Sequence, residues 1–172
     1  MAGSLIKIAE TTVSSAVASV TLTGIDSTYN VYKFIINGLT ADTDSSVVKI
    51  RVTKSGTADT TSNYDRAGKQ LKAFATFANN GSTNETSWNI NNAGTPTNSA
   101  VNLTSYLFNF ADASEYSFAT FEEVTFDTGT NTRGLQGGGV HTVVSASDGV
   151  NVFLSTGGNI DGGTFTLYGL KK

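Results

Sequence analysis

The sequence predicts an all-β fold: an antiparallel β-sandwich, jelly-roll-like, with about nine or ten strands in a single domain over residues 1–172. Three observations predict it. Apolar and polar residues alternate with a period of two along segment after segment, as strands with one buried face require. Turn signals recur at intervals of roughly ten residues, the spacing of a sandwich rather than of a helical or βαβ protein. Glycine occurs 18 times and proline once, at Pro96, so the turns depend on glycine's access to positive φ.

Taken in order, Leu5 to Ile8 is a short apolar run, preceded by Met1 to Ser4, a segment suited to an N-terminal arm. Ala16, Ala18, Val20 and Leu22 fall on one face of the next segment, and Gly24-Ile25-Asp26-Ser27 turns the chain. Tyr29 to Asn37 is rich in β-branched and aromatic residues and reads as a central strand covered on both faces. Val48, Ile50 and Val52 alternate with Lys49, Arg51 and Thr53, giving one inward face and one outward face.

Tyr64 to Ala78 fits two periods, because Tyr64, Ala67, Leu71, Phe74, Ala75 and Ala78 also lie at helical spacing. Gly68 costs a helix about 1 kcal/mol relative to alanine and no clear cap precedes it, so a strand is expected. Trp88 and Ile90 occupy a short strand before the loop Asn91 to Ser99. Leu103 to Phe110 and Tyr116 to Phe126 are aromatic strands joined by the turn Ala111-Asp112-Ala113-Ser114. Val140 to Ala146 and Val150 to Leu154 are expected to form a hairpin over Ser147-Asp148-Gly149. The glycine-rich stretch Gly157 to Gly163 then reads as the turn into the closing strand, Phe165 to Leu170.

Composition limits the function classes. The net charge is -3 and the basic residues are scattered, so the sequence carries no nucleic-acid footprint. There is no cysteine, which removes disulfides, thiolate metal sites and a cysteine nucleophile together. No run approaches the roughly 18 apolar residues of a membrane span, and the N-terminal segment lacks the pattern of an export signal, so the sequence reads as a cytosolic product. Asn80-Gly81-Ser82, Asn84-Glu85-Thr86 and Asn102-Leu103-Thr104 match the glycosylation acceptor pattern but read better as turn residues.

The candidate chemistry is thin. His141 is the only histidine, no Gly-x-Ser-x-Gly elbow accompanies it, and it reads as structural or as a surface residue. Gly157 to Thr164 approximates a phosphate loop but has Gly163 where the lysine belongs, and a strand follows instead of a helix. Gly134-Leu135-Gln136-Gly137-Gly138-Gly139 has the wrong spacing for a dinucleotide fingerprint. Asp42 and Asp44 lack the glycine and the downstream glutamate of a calcium loop. Glu122 and Glu123, being adjacent in a strand, point to opposite faces and cannot act as a carboxylate pair. Trp88, Tyr106, Tyr116 and Tyr168 would stack on sugar rings only if they formed an exposed row, whereas core or interface positions are commoner. No catalytic, cofactor-binding or metal residue is therefore assigned, and the chain is expected to be non-enzymatic.

Three passages carry a resemblance. They are Leu5–Val13 (LIKIAETTV) through Gly24–Tyr29 (GIDSTY); Tyr106–Ser117 (YLFNFADASEYS); and Gln136–Val140 (QGGGV) through Ala146–Gly149 (ASDG) to Gly162–Leu170 (GGTFTLYGL). Together they resemble the small β-sandwich virion structural proteins of tailed bacteriophages, the capsid decoration, cement and fibre proteins. The resemblance implies a decoration protein made in the host cytoplasm. It would bind the major capsid protein on the outer head surface as a homotrimer at local threefold positions, without nucleic acid or membrane. The alternative it leaves is a head or tail fibre, or receptor-binding module, that recognises host surface glycans through exposed aromatics and loops such as Asn79 to Trp88.

Overall fold

The computed structural model describes residues 4–95, 99–127 and 131–171, so Met1 to Gly3 of the expected arm lie outside the described residues. The chain is all-β, with two antiparallel sheets packed face to face. The first half contributes β1 (Leu5–Val13), β2 (Ser19–Thr23), β3 (Val31–Ala41), β4 (Ser46–Lys54), β5 (Thr57–Ala58), β6 (Tyr64–Lys72) and β7 (Ala78–Asn79). The second contributes β8 (Ser82–Glu85), β9 (Trp88–Ala93), β10 (Val101–Phe108), β11 (Ser117–Asp127), β12 (Asn131–His141), β13 (Gly149–Leu154) and β14 (Ile160–Leu170).

The larger sheet runs β1-β14-β3-β10-β11-β12-β6-β7, with β8 also on β6, and the smaller runs β2-β13-β4-β5, with β9 also on β4. Within this lies a complete jelly roll. Taking β1, β2, β3, β4, β9, β10, β13 and β14 as its eight strands, the first, eighth, third and sixth form one sheet and the second, seventh, fourth and fifth the other. Two insertions widen it. β5 to β8 lie between the fourth and fifth strands of the roll and β11-β12 between the sixth and seventh, and β11, β12 and β6 extend the larger sheet beyond β10.

Alternation explains the core. Tyr32, Phe34 and Ile36 of β3, Leu103 and Leu107 of β10, and Phe165 and Leu167 of β14 point inward from the larger sheet. They join Val20, Leu22, Val48, Ile50, Val52, Val150 and Val152 of the smaller sheet in one buried cluster. Of the segment Tyr64 to Ala78 expected as a strand, Tyr64 to Lys72 is one, because its backbone completes the ladder to β12 in continuous register, while residues 73–77 lie outside any strand.

Several expected details differ. Ala16 and Ala18 are exposed, and β2 starts only at Ser19; Val17 instead bridges to Ile160. β3 is central in its sheet, but Val31, Lys33 and Ile35 are only half-buried, since no layer of the described residues covers their face. Thr53 is buried, with its hydroxyl donating to Asp148 Oδ1 at 2.6 Å. Asn102 sits within β10 rather than in a turn.

The expected hairpins at the C-terminal end are absent. His141 ends β12 in the larger sheet, whereas β13 pairs with β2 and β4 in the smaller one, so residues 142–148 cross between sheets. Likewise β14 returns to the larger sheet between β1 and β3, and Gly162-Gly163 forms a bulge inside that strand instead of a turn before it. Gly163 has φ +125, and a Cβ there would sit 2.9 Å from Leu39 Cα.

Strand β12 was not expected through Gln136-Gly137-Gly138-Gly139, a stretch without a side-chain pattern. It pairs over eleven residue pairs with β11 and over nine with β6. Glycine is required there because strands and side chains approach closely: a Cβ at Gly137 would lie 2.4 Å from the Ala67 carbonyl, and one at Gly139 would lie 2.5 Å from Trp88 Nε1. Gly139→Ala is therefore expected to cost about 1–3 kcal/mol by overpacking, read as a lower urea midpoint at unchanged slope. Combined with a smaller ring, Trp88→Phe, it should cost less than the sum of the two single changes.

Candidate interaction surface

An antiparallel sheet with one solvated face ordinarily shows polar residues there. The outer face of the larger sheet departs from this at both ends. At the end formed by the start of β3 and the end of β10, register places one apolar side chain from each of six adjacent strands in a transverse row. Leu5 pairs with Leu170, the Gly169–Tyr32 pair sets Leu170 beside Val31, Val31 pairs with Phe108, Phe108 with Phe118, and Phe118 with Val140. Phe118 is 41% exposed and Leu5 44%. Gly138 leaves a hollow of about 620 Å³ against Phe108, Phe118 and Val140. Lys33 and Tyr106 lie next to this belt, the lysine ammonium 5.5 Å from the Tyr106 ring centre.

At the other end the same face holds a groove of about 790 Å³. Ile35, Leu71, Phe77 and Val124 contribute apolar lining, amides such as Asn37, Asn102 and Gln136 polar groups, and Glu122, Lys72 and Arg133 charges of both signs. Gly134 contributes no side chain to the groove, and Asn102 is held in place by accepting a hydrogen bond from the Gly38 N–H at 2.9 Å. Val124 is 51% and Phe77 59% exposed, a strongly apolar presentation for a solvated face.

The sequence candidates distribute otherwise. Trp88 is fully buried and cannot stack on a sugar: its indole N–H donates to the Asp65 and Val140 carbonyls at 3.2 and 3.3 Å, and its ring meets Tyr64 and Phe121 edge-on. Tyr106 and Tyr116 are exposed, and Tyr168 is half-buried beside Lys33. The exposed row of four aromatics that sugar stacking would require is therefore not assembled, and Trp88 takes the commoner core position.

His141 is fully buried, stacked against Tyr64, with Nε2 3.4 Å from Asp59 Oδ2. Burial lowers the imidazole pKa. Burial alone would raise the Asp59 carboxyl, but the Thr61 hydroxyl and N–H and the Lys54 ammonium, 3.1 Å away, bring it down to about 2. Ser117 is the cross-strand neighbour of His141, yet its hydroxyl faces Ser147 at 3.5 Å and both residues are closed to solvent. This group ties the β5–β6 connection to the core and offers no access to a substrate.

Asp42 accepts hydrogen bonds from the Asn159 backbone and side-chain amides, and Asp44 from the Thr95 N–H, so both fasten loops. Among the described residues no group of three acidic or histidine side chains is placed to hold a metal ion. Likewise, no helix is long and apolar enough to cross a membrane.

Glu122 and Glu123 do point to opposite faces. Glu122 lines the outer groove, while Glu123 is buried between the sheets in a polar chain: Gln70 Nε2 donates to Asn91 Oδ1, and Asn91 Nδ2 to Glu123 Oε2, each at 2.8 Å. Burial pushes the Glu123 carboxyl up to about 7, against the lowering effect of Asn91 and the Leu135 backbone. Sequence reasoning placed the two glutamates on opposite faces but had no signal for which one was interior.

No protein-family model matches this chain, and neither the curated proteins nor the solved structures give a match.

Proposed function

We propose that this chain is a non-enzymatic structural protein of a tailed-phage virion, a capsid decoration protein that binds the outer head surface and bridges neighbouring capsomers. The observation that carries this reading is the groove on the outer face of the larger sheet. Exposed Val124 and Phe77 and half-buried Leu71 and Ile35 stand there among amide and charged groups, the mix of apolar centre and polar rim that protein interfaces use. The three sequence passages resembling phage virion proteins and the jelly-roll order of the strands support it as well. The mechanism is linkage: a protein that binds the closed shell better than the opened one stabilises the closed shell by mass action.

Purified protein is expected to co-sediment with mature or expanded heads. Val124→Asp, at an outward-facing exposed position, should lower head affinity at least about tenfold by placing a charge in the contact while leaving thermal melting unchanged. Binding to tails or host cells without binding to heads would reject decoration in favour of the fibre reading. A glycan-binding module would now have to rely on Tyr106, Tyr116 and Phe77, because Trp88 is interior.

A further inference from the structure

We propose that the apolar belt is where a second copy of this chain packs, the two outer faces meeting about a twofold axis that runs along the belt. The belt crosses six strands and is about 29 Å long at the 4.8 Å strand spacing. With one row of strand side chains on the Lys33 side and the connecting turns on the other, the strip is about 20 Å wide. That is roughly 600 Å² per copy, the lower bound of a standard interface, which implies a pair that forms and dissociates measurably.

Charge fixes the orientation. On one side of the belt lies Lys33, held over Tyr106; on the other, the turn after β10 carries Asp112 and Glu115, both exposed. Asp112 is oriented by accepting hydrogen bonds from the Ser114 N–H and hydroxyl at 2.8 and 2.7 Å. A twofold axis along the belt exchanges its two sides, so Lys33 of each copy lies over the acidic turn of the other. An axis along the strands would instead bring lysine over lysine, which like-charge repulsion opposes. Apolar self-contact in the centre with opposite charges across it makes an isologous interface.

The pairing does not rest on head binding. Asn37 and Val124, in the groove, lie about 20 Å along the strands from the belt, so the groove stays outside the strip.

Sedimentation velocity over a dilution series tests the proposal. The expected result is a mass of two chains at high concentration falling to one on dilution. Phe118→Glu should give one chain throughout, with an unchanged melting temperature showing that the fold is intact. Lys33→Glu should weaken pairing about tenfold, and adding Asp112→Lys to it should restore pairing. A single chain at every concentration, pairing that survives Phe118→Glu, or no restoration in the double variant would overturn the proposal. A mass of three chains would also overturn it, and would return the threefold arrangement that the resemblance implies.

Discussion

Replacing Trp88 with alanine is expected to lower the stability of the fold by about 4 kcal/mol, the largest effect of any single truncation proposed for this chain. Three losses combine. The indole is fully buried where β9 of the smaller sheet meets β6, β11 and β12 of the larger, so truncation leaves a cavity that both sheets line. Its edge-on contacts with Tyr64 and Phe121, ring centres 5.4 and 5.6 Å away, disappear. Its N–H no longer satisfies the Asp65 and Val140 carbonyls. Urea unfolding should show a lower midpoint, and thermal melting a fall of roughly 12 °C. Trp88→Phe should cost distinctly less, since most of the volume remains. A change under about 1 kcal/mol for the alanine variant would mean that the extension of the larger sheet is not packed on β9 as described.

Glu123→Gln is expected to stabilise the protein at pH 8 and to flatten part of its pH dependence. The carboxyl titrates near 4.5 when exposed and is pushed up to about 7 in the fold. Below pH 4.5 both states hold the proton and the group costs nothing. Between 4.5 and 7 the unfolded chain releases its proton while the folded chain keeps it, so stability falls as pH rises through this window. Above 7 both states are ionised and the full penalty remains, on the order of 3 kcal/mol.

Glutamine has no charge to desolvate, and its amide oxygen can still accept from Asn91. Its buried NH₂ needs a partner in turn, which offsets part of the gain, so a net stabilisation of about 1–2 kcal/mol is expected at pH 8. His141 works in the opposite direction: its lowered pKa means that stability is lost as pH falls below the unfolded value of 6.5. The difference between variant and wild type across the pH range therefore isolates Glu123. An unchanged difference from pH 4 to 8 would mean that the carboxyl is not held in its buried, protonated form.

The strands most readily read from sequence were those whose two faces meet different surroundings. β4, with Val48, Ile50 and Val52 against Lys49 and Arg51, alternates because one face meets the other sheet and one meets water. β12 was illegible for the opposite reason. Its three consecutive glycines carry no pattern, and what makes them a strand is the backbone of β11 and β6 on either side, two strands that come from separate insertions of the roll. The crossing of residues 142–148 between sheets was equally hidden, because Ser-Asp-Gly signals a reversal of the chain without saying which sheet receives it.

The interaction surface was partly legible. Phe108, Phe118 and Val140 were visible as strand residues, yet their alignment into a belt depends on register between segments far apart in sequence. Trp88 was open to a sugar-platform reading beside the commoner core one because aromatic side chains serve in cores and at surfaces alike, and only burial separates the two uses.

The placement of β14 carries a consequence for how the protein is made. The last strand lies between β1 and β3, with Leu5 opposite Leu170 and Ile36 opposite Phe165. While the ribosome is still translating, those two early strands have no direct partner in each other, and the slot between them stays open until residues 160–170 emerge. The nascent chain must hold Tyr32, Phe34 and Ile36 without their final neighbour until β14 has been made, exposed to off-target strand pairing. Closure of the sheet is a late event of high sequence separation, which favours slow folding. A stop codon before residue 160 would remove an interior strand of the larger sheet, not trim its edge.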